Sequence, residues 1–296
     1  MKKVFYIIII LALFGCGKNS LIIPPDEDGK LNVEVNYLDE TEPVIEFINS
    51  AQTGILTSEM MNPMGLIVLS YSQFISESGS RYDTTVAYAL FRDVNSPPID
   101  MGRWRERRGL DIGDIYLENV KLEKSFRKMR IPSQGHHGRM DSIYGMEYKL
   151  KTTNFEFKHS AKHKFKIVNK SGLEYSFDLD TPDKKDLENL PEYDGENLKF
   201  KLKLKADSLD IVVNTPLPDE GEFAMKPIMM LKFKNLNTQK IQIGPNILKL
   251  IPDEYKQNYL IFSIVQKYQR SISIPDYQGN VTGFVSSTLY FKVKLR

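Results

Sequence analysis

The chain has 296 residues, about two domains' worth of length. Hydrophobic residues make up 41% and charged residues 26%, ordinary globular usage that excludes a disordered tail or a collagen-like fibre. A net charge of +2, from 40 Lys+Arg against 38 Asp+Glu, leaves no basic excess for a nucleic-acid partner, and a single cysteine excludes an intramolecular disulfide.

Met1-Lys2-Lys3 is followed by an unbroken apolar run over residues 4–14. As a helix this run spans roughly 16 Å, about half of a ~30 Å hydrocarbon core, so it is too short for a membrane span. A positive start, a short apolar stretch and a small residue describe a secretory signal peptide over residues 1–15. The four residues Leu13-Phe14-Gly15-Cys16 resemble the lipobox of bacterial lipoproteins. The resemblance implies cleavage before Cys16 and acylation of its thiol, which makes the membrane a partner through an N-terminal acyl anchor. Each buried methylene contributes about 0.8 kcal/mol, so several acyl chains hold a domain on a bilayer. Loss of Lys2 and Lys3 removes the net charge of +2. Gly17 in place of an aspartate resembles outer-membrane cargo, with the periplasmic or surface face left open. Residues 16–30 hold Pro24, Pro25, Gly29 and the acids Asp26, Glu27 and Asp28, and read as a flexible tether.

The body alternates. Residues 42–51 read as a helix or another strand. Leu66 to Leu69 form a continuous apolar run. Phe165 and Ile167 alternate with Lys164 and Lys166, and Tyr175, Phe177 and Leu179 alternate with Ser176, Asp178 and Asp180. Ser171-Gly172 between those two runs predicts a hairpin. Leu198, Phe200, Leu202 and Leu204 alternate with lysines, as do Phe291, Val293 and Leu295 with Lys292, Lys294 and Arg296. Ile228 to Leu231 and Tyr259 to Ile264 suit strands buried on both faces. Period two means one buried face and one wet face. Pro245 opens a short helical candidate that reaches Ile251. These patterns predict an all-β fold of two tandem antiparallel β-sandwich (Ig-like) domains. The first covers residues 31–182 with a loop insertion, and the second covers 198–296. The charged, proline-bearing segment 183–197 is the expected linker. The absence of a Cys-Trp-Cys pattern excludes an antibody-type domain. The order of runs from Asp114 to Asp180 resembles β-rich lipoproteins of Bacteroidota-like bacteria.

The chemistry-bearing residues are few. Arg103, Arg105, Arg107 and Arg108 surround Glu106 and Trp104, the only tryptophan. Arginine beside an aromatic ring suits a carboxylate, a phosphate or a sugar face, so this loop is the expected contact for a ligand or partner. His136, His137, His159 and His163 lack metal-site spacing, because four residues along a strand span about 13 Å. No metal or cofactor is expected. Ser125-x-x-Lys128 lacks the companion motifs of a serine acyltransferase. Asp83-Thr84-Thr85, Asp141-Ser142-Ile143 and Asp207-Ser208-Leu209 fit an O-glycosylation pattern of Bacteroidota exported proteins, with Thr84, Ser142 and Ser208 as acceptors. The expected function is a membrane-anchored envelope module that binds or scaffolds an envelope protein or a glycan, without catalysis. An accessory subunit of an outer-membrane transport or secretion complex, and an enzyme acting on envelope polysaccharide, remain alternatives.

Overall fold

In this computed structural model the described residues are 20–23, 32–37, 63–100, 105–131, 141–152, 155–217, 225–256 and 259–295. The chain is all-β. In order, the N-terminal part gives β1 (Ser20–Ile23), β2 (Asn32–Tyr37), β3 (Gly65–Ile75), β4 (Arg81–Phe91), β5 (Ile99–Asp100) and β6 (Arg105–Glu106). The middle gives β7 (Asp114–Leu117), β8 (Val120–Lys121), β9 (Glu123–Ile131), β10 (Asp141–Lys149), β11 (Lys162–Val168) and β12 (Glu174–Asp180). The rest gives β13 (Glu192–Tyr193), β14 (Leu198–Pro216), β15 (Met225–Ile243), the short helix α1 (Pro245–Leu248), β16 (Tyr259–Ile272) and β17 (Val281–Lys294).

The period-two runs all become strands, and Pro245 sits in the first turn of α1. The hairpin at Ser171-Gly172 joins β11 to β12, and Gly172 adopts φ +83°, a backbone that glycine takes without a Cβ penalty. Residues 42–51 lie outside the described residues.

The main sheet runs β1-β2-β15-β14-β16-β17-β3-β4-β10-β9, with β13 added to β14. The division expected at 183–197 meets a ladder that crosses it. C-terminal β17 pairs in parallel with N-terminal β3 from Val281↔Gly65 to Phe291↔Ile75, and β15 pairs with β2. Strands from both sides of 183–197 therefore share one sheet. The segment itself packs on that sheet: Leu187 is buried and bridges to Leu202, and β13 pairs with β14. Alternation specifies which face of a strand is buried but not which strand lies beside it, so a pairing this far apart in sequence leaves no local trace.

One face of the sheet holds two apolar cores. Ile67, Leu69, Ala87, Ala89 and Phe91 pack against Ile115, Leu117, Phe165 and Ile167 of a small sheet ordered β12-β11-β7-β8. Farther along, register shifts between Lys201 and Ala206 and between Ala206 and Ser208 interrupt the β14–β15 ladder. Such bulges bend a strand pair. Beyond them Phe200 meets Phe291 at 5.3 Å between ring centres, and the outer half of the pair joins the core of Val213, Leu260, Phe262 and Val293. The opposite face carries the smaller cluster of Leu66, Val68, Tyr88, Leu90 and Phe284, with a buried Ser70–Ser286 hydroxyl pair at 2.7 Å.

Candidate binding cleft

Three connections meet around a cleft of about 290 Å³: residues 110–112 before β7, the β11–β12 turn, and the β16–β17 connection. Its floor is apolar, from Ile112, Ile167, Ile274 and Tyr277, and its polar groups are Asp111, Asn169, Lys170, Tyr175 and Asp276.

The turn is built by Asn169. Its side-chain oxygen accepts from the Ser171 and Leu173 backbone N–H groups at 3.0 and 2.8 Å, a local closure typical of Asn. The Asn169 amide then donates to Asp276 Oδ2 at 2.5 Å, and the Tyr175 hydroxyl donates to the same oxygen at 2.6 Å. Asp276 thus ties the small sheet to the main sheet. Its hydrogen bond raises the pKa of the Tyr175 hydroxyl above the ordinary phenol value.

Asp111 stands across the cleft. It accepts from the Gly113 backbone N–H at 3.0 Å and the Tyr148 hydroxyl at 2.9 Å, and it pairs with Lys124 at 3.1 Å. Lys170 Nζ lies 3.8 Å from its other oxygen. Burial works to raise the Asp111 pKa, but these donors outweigh it and hold the carboxyl below its ordinary value. Gly113 makes the approach possible: its φ is +122°, and a Cβ there would lie 2.1 Å from the Val168 carbonyl oxygen. The Tyr277 hydroxyl sits between the carbonyls of Met64 and Arg92 at 2.5 and 2.7 Å, and burial pushes its pKa up to about 12.

The arginine loop resolves into different roles. Arg103 and Trp104 lie outside the described residues. Arg105 and Arg108 are exposed. Arg107 turns its guanidinium onto the carbonyls of Val94 and Ser96, which holds the turn at 93–96. Glu106 is buried as the partner of Arg92, a residue the motif reading did not single out.

His136 and His137 lie outside the described residues. His163 is buried, accepts from the Lys158 N–H through Nε2 at 3.0 Å, and so directs Nδ1–H to Glu118 at 3.1 Å. His159 stacks edge-on against Tyr71 at 4.7 Å, and burial lowers its pKa. Among the described residues no three His, Cys, Asp or Glu side chains gather as a metal site requires. Ser125 donates to Glu147 at 3.2 Å. Of the glycosylation acceptors, Thr84 is half-buried in β4, Ser208 is exposed at the β14 bulge, and the Ser142 side chain and Cys16 lie outside the described residues.

Sequence reading passed over Asp276, Asn169 and Tyr175 because each piece reads as an ordinary turn or strand. Their meeting spans 107 positions of chain and has no local signature. No protein-family model matches the chain, and no curated protein matches its sequence.

Proposed function

We propose that this protein is a lipid-anchored module of the bacterial cell envelope, held through Cys16, that binds a hydroxyl-rich ligand such as an envelope glycan in the cleft beneath Asp276. The cleft geometry carries this reading. The Asp276 carboxylate, buttressed by an amide and a phenol, and the Lys170 ammonium near Asp111 line one cleft over a floor of Ile112, Ile167, Ile274 and Tyr277. Sugar rings present hydroxyls at their rim and an apolar face, and concave sites of this kind recognise them with a few placed polar groups. The lipobox supplies the anchor, and because β1 (Ser20–Ile23) already pairs with β2 in the main sheet, the lead from Cys16 to the folded body reaches at most about 14 Å.

Asp111 reads as an ionised acceptor for ligand hydroxyls and not as a general acid. A glycosidase acid needs a raised pKa, whereas the contacts to Asp111 lower it. The test is titration of soluble peptidoglycan and lipopolysaccharide oligosaccharides by calorimetry. Binding that weakens about tenfold in Asp276→Asn, the loss of roughly one charged hydrogen bond, is the expected result. Equal binding by the variant, or no binding of any of these glycans by the native chain, overturns the reading. Metabolic labelling with an alkyne fatty acid tests the anchor separately, and label that persists in Cys16→Ser overturns it.

A further inference from the structure

Among the described residues the large sheet is open along part of an internal strand. β10 pairs with β4 only at Tyr148↔Ala89 and Lys149↔Tyr88, and the Leu150 N–H then closes on the Ala87 carbonyl at 2.9 Å. Beyond that point the chain leaves the sheet. Residues 81–86 of β4 pair with β3 on one side, and among the described residues no strand lies on the other. Because the Ala87 carbonyl points to this open side, alternation along the strand points the backbone N–H and C=O of Asp83 and Thr85 the same way. The β3–β4 register runs without a shift from Ile75↔Arg81 to Gly65↔Phe91, so the alternation is unbroken.

A groove of about 370 Å³ lies along this edge, walled by Lys149, Leu150, Lys151 and Phe155 where the chain peels away. Six residues of strand give an edge of about 20 Å. Its chemistry differs from that of β9, the terminal strand at that end of the sheet. β9 includes Lys124, Arg127, Lys128 and Arg130, the charges that usually guard an edge against added strands. The β4 stretch instead reads Asp83-Thr84-Thr85-Val86, β-favouring residues with one acid, and Arg81 is drawn away onto Asp186 and the Leu187 carbonyl.

We propose that the open edge of β4 at 81–86 accepts an extended segment of another polypeptide as an added strand. The backbone of Asp83 and Thr85 supplies the ladder. The β4 side chains Asp83, Thr85 and Ala87 alternate onto the face where Leu150 and Phe155 join the small-sheet core. The incoming strand therefore carries a basic side chain opposite Asp83 and, two residues away, an apolar one against Leu150 and Phe155. A second copy of this chain fits poorly. A two-fold antiparallel pair centred on Thr84 or Thr85 sets Arg81 or Asp83 of the copy against Ala87, where Leu150 already sits. Centring on Asp83 sets two carboxylates opposite each other, a destabilising pair. This proposal does not depend on the cleft.

Amide exchange of the free protein is the first test. The Thr85 amide exchanges rapidly although it is in mid-strand, while the Val86 amide, which faces β3, is protected. Equal protection of both overturns the proposal. The second test titrates a peptide of alternating Val and Thr bearing one Lys, and the same peptide N-methylated at alternate amides. Native protein binds the first and not the second, and the Thr85 amide becomes protected. Thr85→Pro removes an outward N–H, the place where an edge strand tolerates proline, so it abolishes binding while the chain stays folded. If that variant fails to fold, Asp83→Lys decides: preference switches from the Lys peptide to its Glu counterpart. Binding indifferent to N-methylation, absence of binding, or an unchanged preference in Asp83→Lys overturns the proposal. A dimer in sedimentation that Thr85→Pro dissolves would assign the edge to a second copy instead, which also overturns it.

Discussion

Arg92 and Glu106 form a two-point ion pair in the interior, at 6% and 2% exposure, with Arg92 Nη2 3.0 Å from Glu106 Oε2 and a second contact from Nε. The third arm of the guanidinium donates to the Pro63 carbonyl at 2.5 Å. The pair joins the end of β4 to β6 and lies just behind Tyr277, whose hydroxyl reaches the Arg92 carbonyl. Glu106→Ala would leave a buried guanidinium without its counter-charge. Loss of one partner from such a pair costs about 3–5 kcal/mol, and urea denaturation should show a loss of that size. The double variant Arg92→Met with Glu106→Leu should recover much of it, because replacing both charges removes the desolvation cost as well as the attraction.

Asp111 makes stability depend on pH. Its folded-state pKa lies below the unfolded value of about 3.9. The contribution is therefore fully present above that unfolded value and is lost as pH falls from it through the lower folded value. Asp114, paired with Lys121 and Lys124, shifts in the same direction. Thermal melts between pH 6 and about pH 2 should show melting temperature falling below pH 4, with a shallower fall in Asp111→Asn. Parallel curves for the variant and the native chain would remove Asp111 from this role.

The strands were legible because each buries one face, as at Phe165/Ile167 and Phe291/Val293. The turn at Gly172 and the first turn of α1 follow from the φ preferences of Gly and Pro. Three things were not legible. The pairing of β3 with β17 depends on partners more than two hundred positions apart, and nothing local distinguishes one buried strand from another. Glu106 looked like one acid within a basic loop, and only the fold shows that it is the buried counter-charge of Arg92 rather than a solvated neighbour of Arg105. The same limit hid the cleft, since Asn169 and Asp276 are each ordinary turn residues until the two sheets meet.

The bent half of the β14–β15 pair depends on the aromatic contact at Phe291, which stacks on Phe262 at 5.8 Å between ring centres and meets Phe200 at 5.3 Å. All three rings are nearly or fully buried. Phe291→Ala should cost about 3–5 kcal/mol through lost burial and an unfilled cavity. Phe291→Leu should cost markedly less, because it keeps most of the volume. A loss near zero in Phe291→Ala would show that the outer half of the pair is not held by this core.

Arg105 and Arg108 are the two described arginines of the 103–108 loop with exposed side chains, whereas Arg107 holds the 93–96 turn through the Val94 and Ser96 carbonyls. If the loop contacts an acidic partner, its exposed members carry the effect. Arg108→Glu should then reduce capture of an anionic glycan or acidic envelope protein, in a salt-dependent way, with the melting temperature unchanged. Arg107→Glu should lower the melting temperature, because it removes the donor to two carbonyls and introduces repulsion in its place. The two variants thus separate contact from support, and capture unchanged in Arg108→Glu would take that exposed arginine out of binding.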